Sequence, residues 1–187
     1  MSFARKAAPR LFAVLAGLVL ALALTVNASA AENVSGEKAR FIEEAGQAAR
    51  TSQSETGVPA SVTVAQAILE SNWGKSTIGS AKNYFGIKAT SKPGPAGVVW
   101  MNTGEVIDGA SVTVNAPFRA YNSMAESFTD HGKFFVENSR YAPAFKVKDD
   151  PKAFARAIQQ AGYATDPSYA SKLISLMDSY DLYRFNK

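Results

Sequence analysis

The residue best placed to do chemistry is a glutamate near the end of a strongly apolar segment. The apolar positions of residues 59–75 follow helical spacing and would cover more than half of a helix circumference. Thr63, Gln66 and Glu70 fall together on the narrow stripe that remains. Because a glutamate is rarely buried unless it is paired or functional, this stripe is a candidate catalytic surface.

Glu70 stands at a position that suits a general acid. Trp73 and Gly74 follow it closely, and glycine is a common helix end. The negative end of the helix dipole and a neighbouring aromatic ring would both disfavour the ionised carboxylate and raise its pKa. A raised pKa allows a carboxyl group to donate a proton at neutral pH. Helix geometry alone fits an ordinary surface glutamate equally well.

Composition removes several other kinds of chemistry. The 187 residues fit one domain, and 47% apolar with 19% charged residues is typical of a globular protein. There is no cysteine, which excludes disulfides, thiolate metal sites and thiol nucleophiles. His131 is the single histidine and is predicted to be structural, so we expect no metal site, no cofactor and no Ser-His-Asp triad. Acid–base chemistry by carboxylates remains, with Glu105 and Asp108 as possible partners of Glu70.

Residues 1–30 predict a signal peptide. Arg5, Lys6 and Arg10 make the first ten residues a basic region, residues 11–26 are largely apolar, and Ala28-Ser29-Ala30 provides a small-residue cleavage site. An uncleaved membrane anchor is the alternative, but the apolar run is shorter than the roughly 20 residues that a membrane span needs. Cleavage would give a secreted or periplasmic protein without a stable membrane span.

Charge argues against a nucleic-acid partner. The whole chain carries +4, and loss of the three basic residues of the signal peptide leaves +1. No basic stripe appears later, so nucleic-acid binding is not expected.

Helical spacing is expected for most of the remaining chain. A short polar lead-in at residues 31–36 is followed by a domain that we place at residues 37–187. Residues 52–57 are predicted to be a polar connection. Besides the central segment, the predicted helices are residues 37–51, the segment from Ser123 through Phe135, residues 149–162 and residues 167–180.

The β-rich part of the chain is confined to one region. A proline- and glycine-rich loop at residues 89–97 precedes it. Turns are expected at residues 102–104 and at Asp108-Gly109, the second being a strong hairpin signal. The predicted strands are residues 98–101, 105–107 and 112–114.

Four blocks of sequence resemble glycoside hydrolase family 73, the glucosaminidases of flagellar rod-associated peptidoglycan hydrolases and many bacterial autolysins. The blocks are residues 65–76, 83–88, 118–121 and 162–170, and their order and spacing agree with the family. The resemblance covers about residues 37–185. It implies an α+β, lysozyme-like fold, in which a mainly helical lobe and a small β-hairpin lobe flank a substrate groove.

The resemblance also implies an activity and the residues that perform it. The family cleaves the β-1,4 bond from N-acetylglucosamine to N-acetylmuramic acid in peptidoglycan, and Glu70 matches its catalytic acid. Thr103-Gly-Glu105 precedes Phe118-Arg119 by the family's thirteen residues, which assigns the second carboxylate to Glu105. Tyr163 matches a tyrosine that the family needs for activity. Asp130-His131 departs from the family's Asp-Tyr pair, and we expect little consequence.

Substrate contacts and mechanism are less specified. We expect a monomer that acts on peptidoglycan glycan strands. Glu105 would act as a base on water or would stabilise the positive charge on the sugar. In a third route the substrate's own 2-acetamido group is the nucleophile. A lytic transglycosylase, a muramidase or a non-catalytic peptidoglycan-binding module are the alternatives. For Phe85 the sequence alone favours a core position over a sugar-stacking one. The predicted substrate-binding residues are Gln66, Trp73, Asn83, Tyr84, Phe85 and Tyr169.

Overall fold

Helices packed around one buried central helix make up most of the fold, and one long β-hairpin stands beside them. The computed structural model describes residues 28–78, 80–107 and 110–186, with side chains from 36–78, 80–104 and 112–186. The predicted signal peptide up to residue 27 and Asp108 therefore lie outside the described residues. The helices are α1 (Ala28–Thr56), α2 (Ala60–Ser71), α3 (Met124–Glu137), α4 (Ala142–Phe145), α5 (Pro151–Gln160) and α6 (Tyr169–Ser179). Short 3₁₀ helices cover Ser139–Tyr141 and Leu182–Phe185.

The central helix α2 is the most buried element. Ten of its twelve residues are buried, which confirms that the broad apolar arc packs on most sides. It contacts α1, α5, α6 and the last 3₁₀ helix. The polar stripe is also covered: Thr63 and Gln66 are fully buried, while Glu70 keeps part of its surface accessible.

An unusual turn ends α2. Asn72, Trp73 and Gly74 all have positive φ angles, of 48°, 61° and 77°. Ser71 stabilises this turn, because its hydroxyl accepts a hydrogen bond from the Gly74 backbone at 2.8 Å. Glycine is required at 74, since a Cβ there would lie 2.8 Å from the ring of Phe41. The turn sends the chain away from the helix axis at once.

Helix α1 is longer than predicted at both ends. It includes residues 31–36, and it continues through residues 52–56, where a polar connection was expected. Part of this polar stretch packs on α3: the Ser52 hydroxyl donates to the Phe128 carbonyl of α3 at 2.9 Å. Gly132 of α3 allows the two helices to approach this closely. The predicted connection is therefore wrong, because polar residues here form the last turn of a helix.

The β region is a single hairpin. Strand β1 (Val98–Ile107) pairs antiparallel with β2 (Ala110–Arg119) without interruption, so the turn predicted at 102–104 is wrong. Asn102 pairs there with Asn115, whose side-chain amide donates to it at 3.1 Å. Cross-strand pairing overrides the turn preference of that tripeptide. The predicted turn at residues 108–109 lies outside the described residues.

A third extended segment borders β2 opposite β1. The Arg119 backbone amide donates to the Ile87 carbonyl at 3.0 Å, and the Ala89 amide donates to the Pro117 carbonyl at 2.9 Å. Residues 87–89 therefore attach the loop that precedes the hairpin to β2.

Among the described residues, none of the helices combines the length and the apolar content needed to cross a bilayer.

Candidate active site

A cavity of about 470 Å³ lies where α2 ends, between the helices and the loop that precedes the hairpin. Glu70 lines it, together with Tyr163 and Ala164 from the segment before α6. Helix α3 and β2 contribute His131, Phe134, Glu137, Asn138 and Arg119. The loop side consists of Phe85, Gly86, Ile87, Lys88, Thr90, Ser91 and Lys92. A carboxyl group from the end of a buried helix thus opens into a cleft of ligand size.

Glu70 is held in the state that a general acid needs. Burial raises its pKa to about 7, and a hydrogen bond from the Tyr169 hydroxyl at 2.9 Å opposes this rise. A pKa near the working pH leaves a large fraction of the group protonated and still able to give up its proton. The direction agrees with the sequence prediction, but the cause is desolvation.

Two further side chains form a buried chain behind Glu70. The Gln66 amide nitrogen donates to the Tyr169 hydroxyl at 2.9 Å, and that hydroxyl donates to Oε1 of Glu70. Gln66 lies one turn before Glu70 on α2 and is fully buried, and Tyr169 begins α6 and is 3% exposed. Both residues were predicted to bind substrate. The structure places them beneath the cavity wall, in contact with Glu70 or with each other.

Tyr163 and His131 form a second hydrogen-bonded pair on the cavity wall. The Nε2 atom of His131 lies 3.2 Å from the Tyr163 hydroxyl. Burial and the charge of Glu70 raise the pKa of Tyr163 well above 10, so it stays a neutral phenol. Burial lowers the pKa of His131 to about 3, which keeps the imidazole neutral. Its ring stacks on Phe85 at 3.8 Å between centroids.

The cavity also has a cationic wall that sequence analysis did not single out. Arg119 Nη1 donates to Asp130 at 2.7 Å, and the Tyr121 hydroxyl donates to the same oxygen at 2.7 Å. Lys92 reaches Glu137 of α3 at 3.4 Å. Arg119 belongs to a family block, and His131 replaces a family tyrosine. Nothing in the sequence at either position indicated that its side chain lines the cavity.

Other predicted site residues lie outside this cavity. Trp73 borders a separate hollow beside α1, where the Lys38 ammonium lies 4.7 Å from its ring centre. Tyr84 packs against Phe41 and Phe128. Among the predicted substrate-binding residues, Phe85 is the one on the cavity wall.

Asn83 is buried and braces the cavity loop. Its Nδ2 donates to the carbonyls of Ile87 and Arg119 at 3.0 and 2.9 Å, and its Oδ1 accepts from the Ile87 amide at 3.1 Å. Its side chain therefore joins the start of the loop to the end of β2.

Glu105 lies on β1, where its backbone pairs with Val112. The structure describes only its backbone, so the role assigned to its carboxylate stays a prediction. In the part of the chain whose side chains are described, no group of three or more histidine, cysteine or carboxylate side chains could hold a metal ion.

The sequence and the fold of this chain can be compared with known families. A family model described as mannosyl-glycoprotein endo-beta-N-acetylglucosaminidase matches residues 46–182. The chain belongs to the glucosaminidase family. The resemblance to glycoside hydrolase family 73 is thereby confirmed.

Three relatives illustrate the similarity. LytG of Bacillus subtilis, named an exo-glucosaminidase, is 40% identical over 133 residues, which are 68% of this chain and 46% of LytG. The glycoside hydrolase domain of FlgJ from Salmonella typhimurium is 37% identical with a TM-score of 0.65, and the match covers 77% of this chain and 97% of that domain. The catalytic domain of the autolysin Auto from Listeria monocytogenes has a TM-score of 0.72 at 28% identity, and the match covers 88% of this chain and 100% of that domain.

These matches have two consequences for this glucosaminidase family member. The predicted α+β, lysozyme-like fold is confirmed, since the solved domains share its helices and its small antiparallel sheet. The chain spans less than half the length of LytG and of the FlgJ proteins. What those whole proteins do therefore bears on this chain only as a hypothesis.

Proposed function

We propose that this chain is a secreted peptidoglycan hydrolase that cleaves the β-1,4 bond between N-acetylglucosamine and N-acetylmuramic acid. The observation that carries the proposal is Glu70, a largely buried carboxyl group with a pKa of about 7 at the edge of a cleft. Membership of the glucosaminidase family supports the reaction class. The names of the relatives, an exo-glucosaminidase, a peptidoglycan hydrolase and an autolysin, support the substrate.

In the proposed reaction, protonated Glu70 gives its proton to the departing glycosidic oxygen as the bond to the anomeric carbon breaks. Positive charge develops on the sugar ring, and water adds to the anomeric carbon. Glu105 is proposed to take the proton of that water or to stabilise the ring charge. The substrate's 2-acetamido oxygen is the alternative nucleophile, because glycosidases that use it need no second carboxylate nucleophile.

Tyr163 is proposed to act beside Glu70 on the sugar. It lines the cavity, and its neutral hydroxyl can donate a hydrogen bond to a substrate oxygen. Phe85 offers an aromatic surface on the same wall, although stacking on His131 already uses one of its faces. Secretion through residues 1–30 and a monomeric state complete the proposal.

Glu70→Gln tests the assignment of the acid. The amide keeps the shape and the burial but cannot donate an acidic proton, so we expect solubilisation of purified cell walls to fall by about 10²–10⁴-fold. Glu55→Gln is the matched control, because Glu55 is an exposed carboxylate of α1 outside the cavity. A folded Glu70→Gln variant with near wild-type rate would refute the proposal.

The products distinguish the related activities. Mass spectrometry of digested peptidoglycan should show N-acetylglucosamine at the new reducing ends. N-acetylmuramic acid there would identify a muramidase, and 1,6-anhydro ends would identify a lytic transglycosylase. Absence of any wall clearing by the folded wild-type chain would indicate a non-catalytic binding module.

A further inference from the structure

The chain of hydrogen bonds behind Glu70 has a defined direction. A glutamine Nε2 can only donate, so the oxygen of Tyr169 accepts from Gln66 at 2.9 Å. A phenol has one proton. The Tyr169 hydroxyl lies 2.9 Å from Oε1 of Glu70 and also interacts with the hydroxyl of Tyr163. A carboxylate is the stronger acceptor, so the Tyr169 proton points to Glu70 when Glu70 is ionised.

The opposite orientation of the Gln66 amide, with Oε1 and Nε2 exchanged, would be less favourable in free energy. In the described part of the chain, Gln66 Oε1 has no hydrogen-bond partner. As placed, Gln66 leaves Oε1 and one N–H of Nε2 without a partner among the described residues, whereas exchanging the two amide atoms would leave both N–H groups unpaired. Since buried N–H groups without a partner are rarer than under-satisfied carbonyl oxygens, the orientation with Nε2 against Tyr169 is favoured.

This direction restricts where the acidic proton of Glu70 can lie. Oε1 accepts the proton of Tyr169 when Glu70 is ionised. If Tyr169 keeps this direction when Glu70 is neutral, the proton of Glu70 lies on Oε2, the oxygen that Tyr169 does not bind. We propose that Gln66 and Tyr169 are positioning residues that confine the acidic proton of Glu70 to Oε2, ready for transfer into the cavity. The inference rests on the proposed role of Glu70 as general acid.

The arrangement also separates positioning from substrate contact. Gln66 is fully buried and Tyr169 nearly so, and neither lines the cavity. The titratable groups that line the cavity together with Glu70 are Tyr163, His131, Arg119, Lys88, Lys92 and Glu137. A substrate-binding role for Gln66 and Tyr169 would change KM, whereas a positioning role changes kcat and its pH dependence.

Tyr169→Phe is the first test. The substitution keeps the aromatic ring, whose centroid lies 5.4 Å from that of Tyr163, and removes only the hydroxyl that donates to Glu70. Because that donor stabilises the carboxylate, its removal raises the pKa of Glu70, so the acid form persists to higher pH. We expect the alkaline limb of the kcat–pH profile to move up by about one to two pH units and the plateau kcat to fall, with KM unchanged.

Tyr141→Phe is the matched control. Tyr141 is a fully buried tyrosine of the same aromatic cluster, and its hydroxyl makes no hydrogen bond to Glu70 or Tyr169 in the described chain. Its profile should keep the wild-type alkaline limb. An unshifted limb in Tyr169→Phe, or a raised KM with unchanged kcat, would overturn the inference.

Gln66→Met tests the other member of the chain. Methionine fills a similar volume and cannot donate, so Tyr169 is free to accept the proton of Glu70. We expect a lower kcat at unchanged KM. If Tyr169→Phe does not fold, this variant alone decides, and an unchanged kcat would overturn the inference.

An infrared measurement tests the positioning without turnover. The carbonyl stretch of protonated Glu70, assigned as the band missing in Glu70→Gln, should move to higher frequency in Tyr169→Phe because Oε1 loses its donor. An unmoved band would contradict the inference. The proposed function is tested separately, because an active Glu70→Gln variant would refute it. An inactive Glu70→Gln with an unaltered Tyr169→Phe would refute the positioning role alone.

Discussion

At the scale of single residues, two helices support the carboxyl group of Glu70, since Tyr169 of α6 donates to it and Gln66 of α2 donates to Tyr169. The polar stripe of α2 places Gln66 behind Glu70 by helical spacing alone. Tyr169 comes from another helix about one hundred positions later, and no local pattern shows that its hydroxyl reaches Glu70. Trp73 lies close to Glu70 in sequence, yet it borders another hollow, because the positive φ angles of residues 72–74 turn the chain away. Side-chain direction after a helix end depends on such angles.

The buried carboxyl of Glu70 should also reduce stability at alkaline pH. Its pKa is raised from 4.5 to about 7 in the folded chain, so the folded state holds the proton more tightly than the unfolded state. The corresponding stability is present below pH 4.5 and is lost as pH rises through 7. We expect Glu70→Gln to unfold with a free energy up to about 3 kcal/mol larger than wild type at pH 8.

Urea unfolding at pH 8 and pH 4.5 measures this difference. The advantage of Glu70→Gln should nearly disappear at the lower pH, where the wild-type carboxyl is protonated in the folded state and half protonated in the unfolded state. Equal stabilities at pH 8 would show that Glu70 is not desolvated. The control Glu55→Gln should match wild type within about 0.5 kcal/mol at both values, since its carboxylate is exposed.

At the scale of elements, the sequence predicted which segments are helical but not how far they extend. Residues 52–56 continue α1, and Ser52 bonds there to the Phe128 carbonyl of α3, a contact that sequence periodicity within α1 does not reveal. In the hairpin, pairing between Asn102 and Asn115 depends on a strand thirteen residues away. Both errors arise where a tertiary partner overrides a local preference.

Gly132→Ala probes the contact between α1 and α3. A Cβ at this position would lie 2.6 Å from the Thr56 hydroxyl oxygen and 2.7 Å from that of Ser52. The hydroxyl of Ser52 is committed to the Phe128 carbonyl, so we expect a loss of about 1–3 kcal/mol in the free energy of unfolding.

The control for this prediction is another helical glycine. A Cβ at Gly36 meets no atom within 4 Å, so Gly36→Ala should be neutral or stabilise the chain by about 0.5–1 kcal/mol. Urea unfolding of both variants gives the comparison. A Gly132→Ala variant as stable as Gly36→Ala would show that the helices separate without cost.

At the scale of the whole molecule, the helical part and the hairpin meet across the cavity. Of the two ion pairs described above, Arg119–Asp130 is the more buried, with side-chain exposures of 10% and 17%, against 47% and 57% for Lys92–Glu137. The family blocks predicted this two-part arrangement. They could not give the ion pairs, which depend on how β2 and α3 are oriented.

Asp130→Asn should destabilise the junction far more than Lys92→Ala. It leaves Arg119 without its carboxylate in a buried site, which typically costs about 3–5 kcal/mol. Lys92→Ala removes an exposed pair worth at most about 1 kcal/mol. Thermal unfolding measured at low and high salt distinguishes them, and equal effects would contradict the difference in burial.

The three hydrogen bonds of Asn83 have a mechanical consequence. They join the residue-87 backbone to the end of β2, and the backbone bonds of residues 87–89 extend that attachment along the strand. We therefore expect the loop wall and the hairpin to move together. In that case the cleft widens for a polymer when both shift against α3, rather than when the loop moves alone.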